Sequence, residues 1–230
     1  MPRAAYFSPA TFKFQRDLAK NNNREWFTAN KSRYEEHLRD PFLRLLSDLQ
    51  GALAQLAPRY RSDPKPVGGS LFRIQRDTRF ANDKTPYKTH IGAVIPAGAA
   101  SMAEGGCAAL YVHLGLDEEI VGVGMYQFGP AALTAWRAAV AGKPGAALAT
   151  RIAALQRAGY TVGGHDDYKK VPKGFAEDHP RAALLKQKGL TAMFPAIPRG
   201  LIHKPAFADW LAEHARATAA LVKWLGANIG

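Results

Sequence analysis

Only the middle of this 230-residue chain alternates apolar and polar residues with a period of two. Between Ser70 and Phe128, four stretches read as strands: SLFRIQRD, KTHIGAVIP, AALYVHLGL and EEIVGVGMYQF. The last two meet at the short acidic turn Asp117-Glu118 and read as a hairpin. On both sides of this block the apolar spacing is helical. Strands that cluster, rather than alternate with helices, do not build a parallel sheet of crossover units. The fold class expected is therefore α+β, a mostly antiparallel sheet of about four or more strands flanked by N-terminal and C-terminal helices.

Ser8-Pro9 fits a helix start, with Ser as N-cap and Pro at the first position, where its missing N–H is not needed. Phe12, Leu18 and Ala19 follow at helical spacing, and Asn21-Asn22-Asn23 ends the helix. A second helix carries Trp26 and Phe27. It continues from Asn30 with a stripe of Tyr34, Leu38, Phe42, Leu45, Leu46, Leu49 and Leu53. Pro41 inside that stripe predicts a break or kink near Asp40. After the hairpin, Pro130 opens a helix to Ala141, Lys143-Pro144-Gly145 breaks it, and another runs to about Ala158. AGYTVGGHDDYKKVPKGF reads as a loop with room for one short strand, DHPRAALLKQKG as a short helix and LTAMFPAIP as extended. A Gly/Ala loop ending at Gly106 separates the second and third strand stretches. The last helix is expected from about Lys204 to Leu225, with Phe207, Trp210, Leu211, Leu221, Trp224 and Leu225 as its apolar contacts. One domain over 1–230 accommodates all of this.

The net charge of +12 is concentrated. Residues 59–88 carry eight Lys/Arg against three acids, and residues 168–204 carry eight against two, so these two segments hold eleven of the twelve charges. A concentrated positive field attracts phosphates, nucleic acid or carboxylates. Solubility charge on loops is the bland alternative. The single cysteine, Cys107, excludes an internal disulfide framework and a cysteine metal cluster, and reads as a small buried hydrophobe. The most apolar stretch, 131–155, is interrupted by Arg137, Lys143, Pro144 and Arg151, so no membrane span is expected. No targeting pattern is visible, which makes the cytoplasm the default expectation.

Six phrases together, NNNREWF, FRIQRDTRFANDKTPYKTHIG, YVHL, GVGMYQF, YKKVPKGF and LLKQKG, resemble the bacterial and fungal family of conserved hypothetical proteins known as DUF2461. The likeness runs from about Phe7 to Trp224, and the basic block is its most specific part. The resemblance implies a shared single-domain fold. It implies no activity, so any function has to be argued from the residues.

On the alternation of the first strand stretch, Arg73, Gln75 and Asp77 point away from Phe72 and Ile74. Tyr111 and His113 share a face in the third, Gly122, Gly124 and Tyr126 share one in the fourth, and His90 and Gly92 share one in the second. With the strands side by side, one face is aliphatic and packs on helices, while the other presents Arg, Gln, Asp, Tyr and His beside glycine-made space. That reads as a pocket floor. Beside it, RDTRFANDKTPYKTHIG sets Arg76, Arg79, Lys84 and Lys88 in a curved loop where they can converge on one anion, with Asp77 and Asp83 orienting them. An internal Arg–Asp lattice that only pins the loop is the competing reading. Lys169, Lys170 and Lys173 form a second basic loop, which borders the same site only if the two loops meet. Phe80, Tyr87, Tyr111 and Tyr126 offer rings on which bases can stack.

Catalytic signals are weak. The sequence has no G-x-S-x-G, H-E-x-x-H or P-loop motif. His113 with Asp77 is the best acid–base candidate. His165, Asp166 and Asp167 are metal-like in composition, but neighbours on an extended chain point in alternate directions, and neither a metal nor a cofactor is assigned. The expectation is a binding protein for an anionic ligand, a nucleic acid or a phosphorylated metabolite. Its contact set is Arg73, Gln75, Arg76, Asp77, Arg79, Lys84, Tyr87, Lys88, Tyr111, His113, Tyr126, Lys170 and Lys173. An enzyme acting on a phosphorylated small molecule, and a structural or protein-interaction domain, stay open as alternatives.

Overall fold

Five strands form one antiparallel sheet in the computed structural model, which describes residues 4–98 and 107–229. They are β1 (Ile91–Pro96), β2 (Ala109–Leu114), β3 (Glu119–Met125), β4 (Thr161–Gly163) and β5 (Leu190–Met193), in the order β1-β2-β3-β5-β4. The hairpin expected at Asp117-Glu118 joins β2 to β3. Most of the Gly/Ala loop expected between the second and third stretches, from residue 99 to 106, lies outside the described residues.

The register explains how the two faces differ. Tyr111 sits between Val94 and Gly122, and His113 sits between Gly92 and Ile120. Gly122 in turn faces Met193 on β5. One face therefore gathers Ile91, Ala93, Ile95, Leu110, Val112, Leu114, Val121, Val123, Leu190 and Ala192, all buried in one cluster with the helical stripes. On the opposite face Val94, Tyr111, Thr191 and Met193 stay half-buried. This is the two-faced sheet that the alternation predicts.

The first strand stretch departs from expectation. SLFRIQRD touches β1 through an isolated bridge, Leu71 opposite Ala93, with the Phe72 N–H donating to the Gly92 carbonyl and the Val94 N–H to the Ser70 carbonyl, both at 2.9 Å. It then turns away. Residues 74–76 pair with 86–88 through Lys88 N–H to the Ile74 carbonyl (2.8 Å) and Arg76 N–H to the Pro86 carbonyl (2.9 Å). Leu71 and Ile74 are buried and Phe72 is 41% exposed, so the apolar anchors are spaced by three and Phe72 and Ile74 do not share a face.

Helix α1 (Pro9–Lys20) starts where Ser8 Oγ accepts the Ala10 N–H at 3.2 Å, and α2 (Arg24–Ala29) starts where Asn23 Oδ1 accepts the Trp26 N–H at 2.9 Å. Helix α3 (Lys31–Tyr34) does not break before Pro41. It widens into a π turn over Glu35–Arg39 and runs on as α4 (Asp40–Ala54). Pro41 has no N–H to give the His37 carbonyl four residues back, and the Thr11 hydroxyl of α1 donates to that carbonyl instead, at 2.8 Å. The C-terminal half supplies α5 (Pro130–Ala141), α6 (Pro144–Arg157), the short α7 (Ala182–Leu185), α8 (Phe207–Ala217) and α9 (Ala219–Asn228). The single final helix expected from Lys204 is thus two helices. The break falls at Thr218, whose hydroxyl bonds back to the carbonyls of His214 and Ala215. Trp136 of α5 is fully buried and donates its indole N–H to the Leu184 carbonyl at 2.9 Å. Among the described residues no helix is long and apolar enough to cross a membrane.

The two faces predict unequal costs. Leu110→Ala, on the buried face, should lower the unfolding free energy by about 2–5 kcal/mol. Val94→Ala, on the open face, should cost less than about 1 kcal/mol. Urea denaturation of the two variants checks the contrast.

Candidate functional site

The basic loop is pinned to the helices at one point. Asn22, in the turn between α1 and α2, grips the backbone of Tyr87 with both ends of its amide: Nδ2 donates to the Tyr87 carbonyl at 2.9 Å and Oδ1 accepts its N–H at 3.0 Å. The Tyr87 ring, expected to reach a ligand, is buried instead and stacks on Phe27 with centroids 4.1 Å apart. Tyr87 is thus the hydrophobic plug of the loop. Around this anchor lies a cleft of about 420 Å³, lined by Asn22, Arg76, Asp83, Thr85, Lys88, Thr89 and His90 among others.

The cations of the loop are used unequally. Arg79 forks onto Asp77, with Nε 3.0 Å from Oδ1 and Nη2 2.7 Å from Oδ2, and this pairing holds the Asp77 carboxyl below its usual range. Lys84 donates to the Thr78 carbonyl at 2.9 Å. Arg76 donates through Nη1 alone, to Asp83 and to the Thr85 hydroxyl, and holds the Asp83 carboxyl down at about 2. Its Nε and Nη2 have no partner among the described residues. Lys88 places Nζ 2.9 Å from the Arg73 carbonyl and 5.2 Å from the centre of the Phe72 ring. Its pKa is pushed down by burial and then by Arg73. Arg73 itself makes no side-chain hydrogen bond or ion pair among the described residues. The Arg–Asp lattice therefore exists, and it leaves Arg73, Lys84 and Lys88 without an ion pair, and half of the Arg76 guanidinium without a partner, among the described residues. Gln75 is exposed and bridges to Tyr87 through the backbone.

The open sheet face is not a pocket floor. The room beside each glycine is already taken. A Cβ on Gly122 would lie 2.8 Å from the Met193 sulfur, and one on Gly92 would meet the Phe72 ring at 3.6 Å. Gly124, at φ +139°, lets the β5 backbone come so close that a Cβ would collide with the Leu190 carbonyl. The result is a flat surface of Phe72, Tyr111 and Met193. Tyr126, 67% exposed, stacks on His165 at 3.7 Å at the other end of β3.

His113 does not meet Asp77. It stacks on His90 with centroids 4.2 Å apart, its Nδ1 lies 2.9 Å from the Tyr111 hydroxyl, and its Nε2 lies 3.9 Å from Glu118. Asp77 is occupied by Arg79, so the two halves of the proposed acid–base pair sit in different networks. The would-be metal trio also disperses: His165 stacks on Tyr126, and Asp166 accepts from Lys188 at 2.8 Å. Cys107 is buried against the Ala97 carbonyl, and burial pushes its thiol pKa up.

Lys170 and Lys173, with Lys169, are exposed in the connection from β4 to β5. The other basic loop hydrogen-bonds along the free side of β1. Strand order thus roots the two loops on opposite sides of the sheet, roughly 15–20 Å apart at ~4.8 Å per strand. A family model described as "Conserved hypothetical protein (DUF2461)" matches residues 10–224. The chain belongs to the DUF2461 family. No curated protein and no solved structure matches it. The DUF2461 match spans both basic loops, every strand and the anchor at Asn22.

Asn22, Thr85 and Thr89 were not legible as site residues, and His90 was legible only as a neighbour of Gly92. His90 now joins the cleft to the sheet face. Burial chiefly, with His113, Lys88 and Arg76 adding repulsion, brings its pKa down from 6.5 to about 4. The unfolded chain takes up this proton near pH 6.5, whereas the folded one resists until about pH 4. Stability from the neutral imidazole is thus complete above that window and is lost as pH falls through it. The melting temperature should drop across pH 6.5 to 4 more steeply in the native protein than in His90→Gln, as differential scanning fluorimetry in a buffer series would show.

Proposed function

We propose that this protein binds a phosphate-containing ligand in the cleft beside β1. The observation that carries the reading is the unspent donor capacity of Arg76. Asp83 and Thr85 fix the guanidinium through one nitrogen, and the remaining N–H groups form a pre-oriented fork. Lys88 lines the same cleft and Arg73 lies beside it. Partial burial of Lys88 and its repulsion by Arg73 make an anionic guest the natural neutralising partner. Thr85, Thr89 and Asn22 add polar groups to the wall.

A second reading, a rigid loop whose charges serve only to hold its own shape, is favoured by the Arg79–Asp77 and Arg76–Asp83 pairs. Calorimetric titration with pyrophosphate and with nucleoside triphosphates separates the two. Arg76→Ala and Lys88→Ala should each weaken binding at least about tenfold, the scale of one lost charge-assisted contact. Arg79→Ala, whose fork is already spent on Asp77, should change it by less than about twofold. Absence of binding by the native protein, or equal losses in all three variants, would leave the rigid-loop reading standing.

A further inference from the structure

Six large hydrophobic side chains are exposed among the described residues, and four of them are aromatic: Phe72, Phe80, Tyr126 and Tyr168. Each of the four carries a cation or an imidazole against its ring. Lys88 lies 5.2 Å from the Phe72 centre, Arg79 5.8 Å from Phe80, His165 3.7 Å from Tyr126 and Lys188 4.7 Å from Tyr168. Phe72 and Tyr126 belong to the open sheet face.

The rings of that face are not scattered. They form a row that begins inside the cleft. His90 lines the cleft and stacks on His113 at 4.2 Å, the His113 ring bonds to the Tyr111 hydroxyl at 2.9 Å, and the Tyr111 ring lies 6.3 Å from Phe72. Tyr126, stacked on His165, lies past the C-terminal end of β3, with Gly124 and Thr191 between it and the Gly122–Met193 pair that flanks Tyr111. The row is flat, because Phe72 and Met193 fill the room beside Gly92 and Gly122. Flatness excludes an enclosed small ligand and suits planar groups laid on one another.

We propose that the open face of the sheet seats a single strand of nucleic acid, its bases on Phe72, Tyr111 and Tyr126 and its phosphates along Arg73, Lys88 and Arg76. This deepens the phosphate-cleft reading and rests on it. Two features favour this occupant over an acidic protein segment. The exposed Phe72 ring lies against Lys88, so a stacked base there places its phosphate beside a cation. The rings also adjoin the phosphate-sized cleft directly, since His90 and Lys88 line the cleft and touch His113 and Phe72. A duplex, with its bases turned inward, could use the cations but not the rings.

Fluorescence polarisation with labelled oligo-dT and oligo-U of 4 to 20 nucleotides, over a salt series, tests this. Affinity should rise with length up to the span of the face, and an unlabelled duplex should compete less well than a single strand. Phe72→Ala and Tyr126→Ala, both at exposed positions that leave the core intact, should each weaken oligonucleotide binding by roughly tenfold, the worth of one stacked base. Neither should alter pyrophosphate binding. Arg73→Ala should reduce the salt slope by about one phosphate contact. Pyrophosphate binding that depends on Arg76, without any gain on lengthening the oligonucleotide or any loss in the two ring variants, would overturn the inference and leave the cleft reading in place. Absence of binding to either probe would overturn both.

Discussion

Burial of one sheet face is the constraint on which the rest depends. Ile91, Ala93 and Ile95 on β1, Leu110, Val112 and Leu114 on β2, and Val121 and Val123 on β3 are removed from water together with the stripes of the flanking helices. Strand geometry then leaves no choice for the intervening residues. Tyr111 and His113 must point to the other side, and their neighbours across the ladder are fixed as Val94, Gly92, Gly122 and Ile120. The composition of the open face follows from the closed one. Its aromatic and imidazole character is therefore a property of the register as much as of any single residue.

The basic loop depends on this sheet for its position and on the N-terminal helices for its shape. Backbone pairing to β1 brings residues 70–72 alongside the sheet edge, and the return pairing of 74–76 with 86–88 closes the lobe. Inside the lobe two carboxylates hold two guanidiniums in place. Internal pairing and the proposed ligand binding are not opposed here. Asp83 takes one nitrogen of Arg76 and so orients the others, whereas Asp77 takes the whole fork of Arg79 and retires it.

Legibility in the sequence followed the range of the interaction. The strands β1 to β3, their hairpin, the helix start at Ser8 and the buried stripe from Tyr34 to Leu53 are all written in local spacing. SLFRIQRD has the same local alternation, yet its two ends pair with different partners, and nothing in eight residues encodes that. Pro41 was visible as a disturbance, but the outcome depended on Thr11, a residue 30 positions away, reaching the carbonyl that the proline left bare. At the site, the cations and the tyrosines were legible as types. Which cation would be spent on which carboxylate was not, because Arg76, Arg79, Asp77 and Asp83 allow either pairing by composition and only loop geometry chooses. The burial of Tyr87 was hidden for the same reason, since its stacking partner Phe27 belongs to another element.

The grip of Asn22 on Tyr87 has a consequence for how a guest would be received. The amide holds the main chain, so the tether makes no demand on the side chain at position 87 but a strict one on the residue at 22. With the ring of Tyr87 also plugged into the core, the lobe turns on a fixed pivot instead of hanging from two free ends. Much of the conformational freedom that binding would otherwise have to remove is gone before any ligand arrives. Such a surface works as a mould set in advance rather than as a hand that closes.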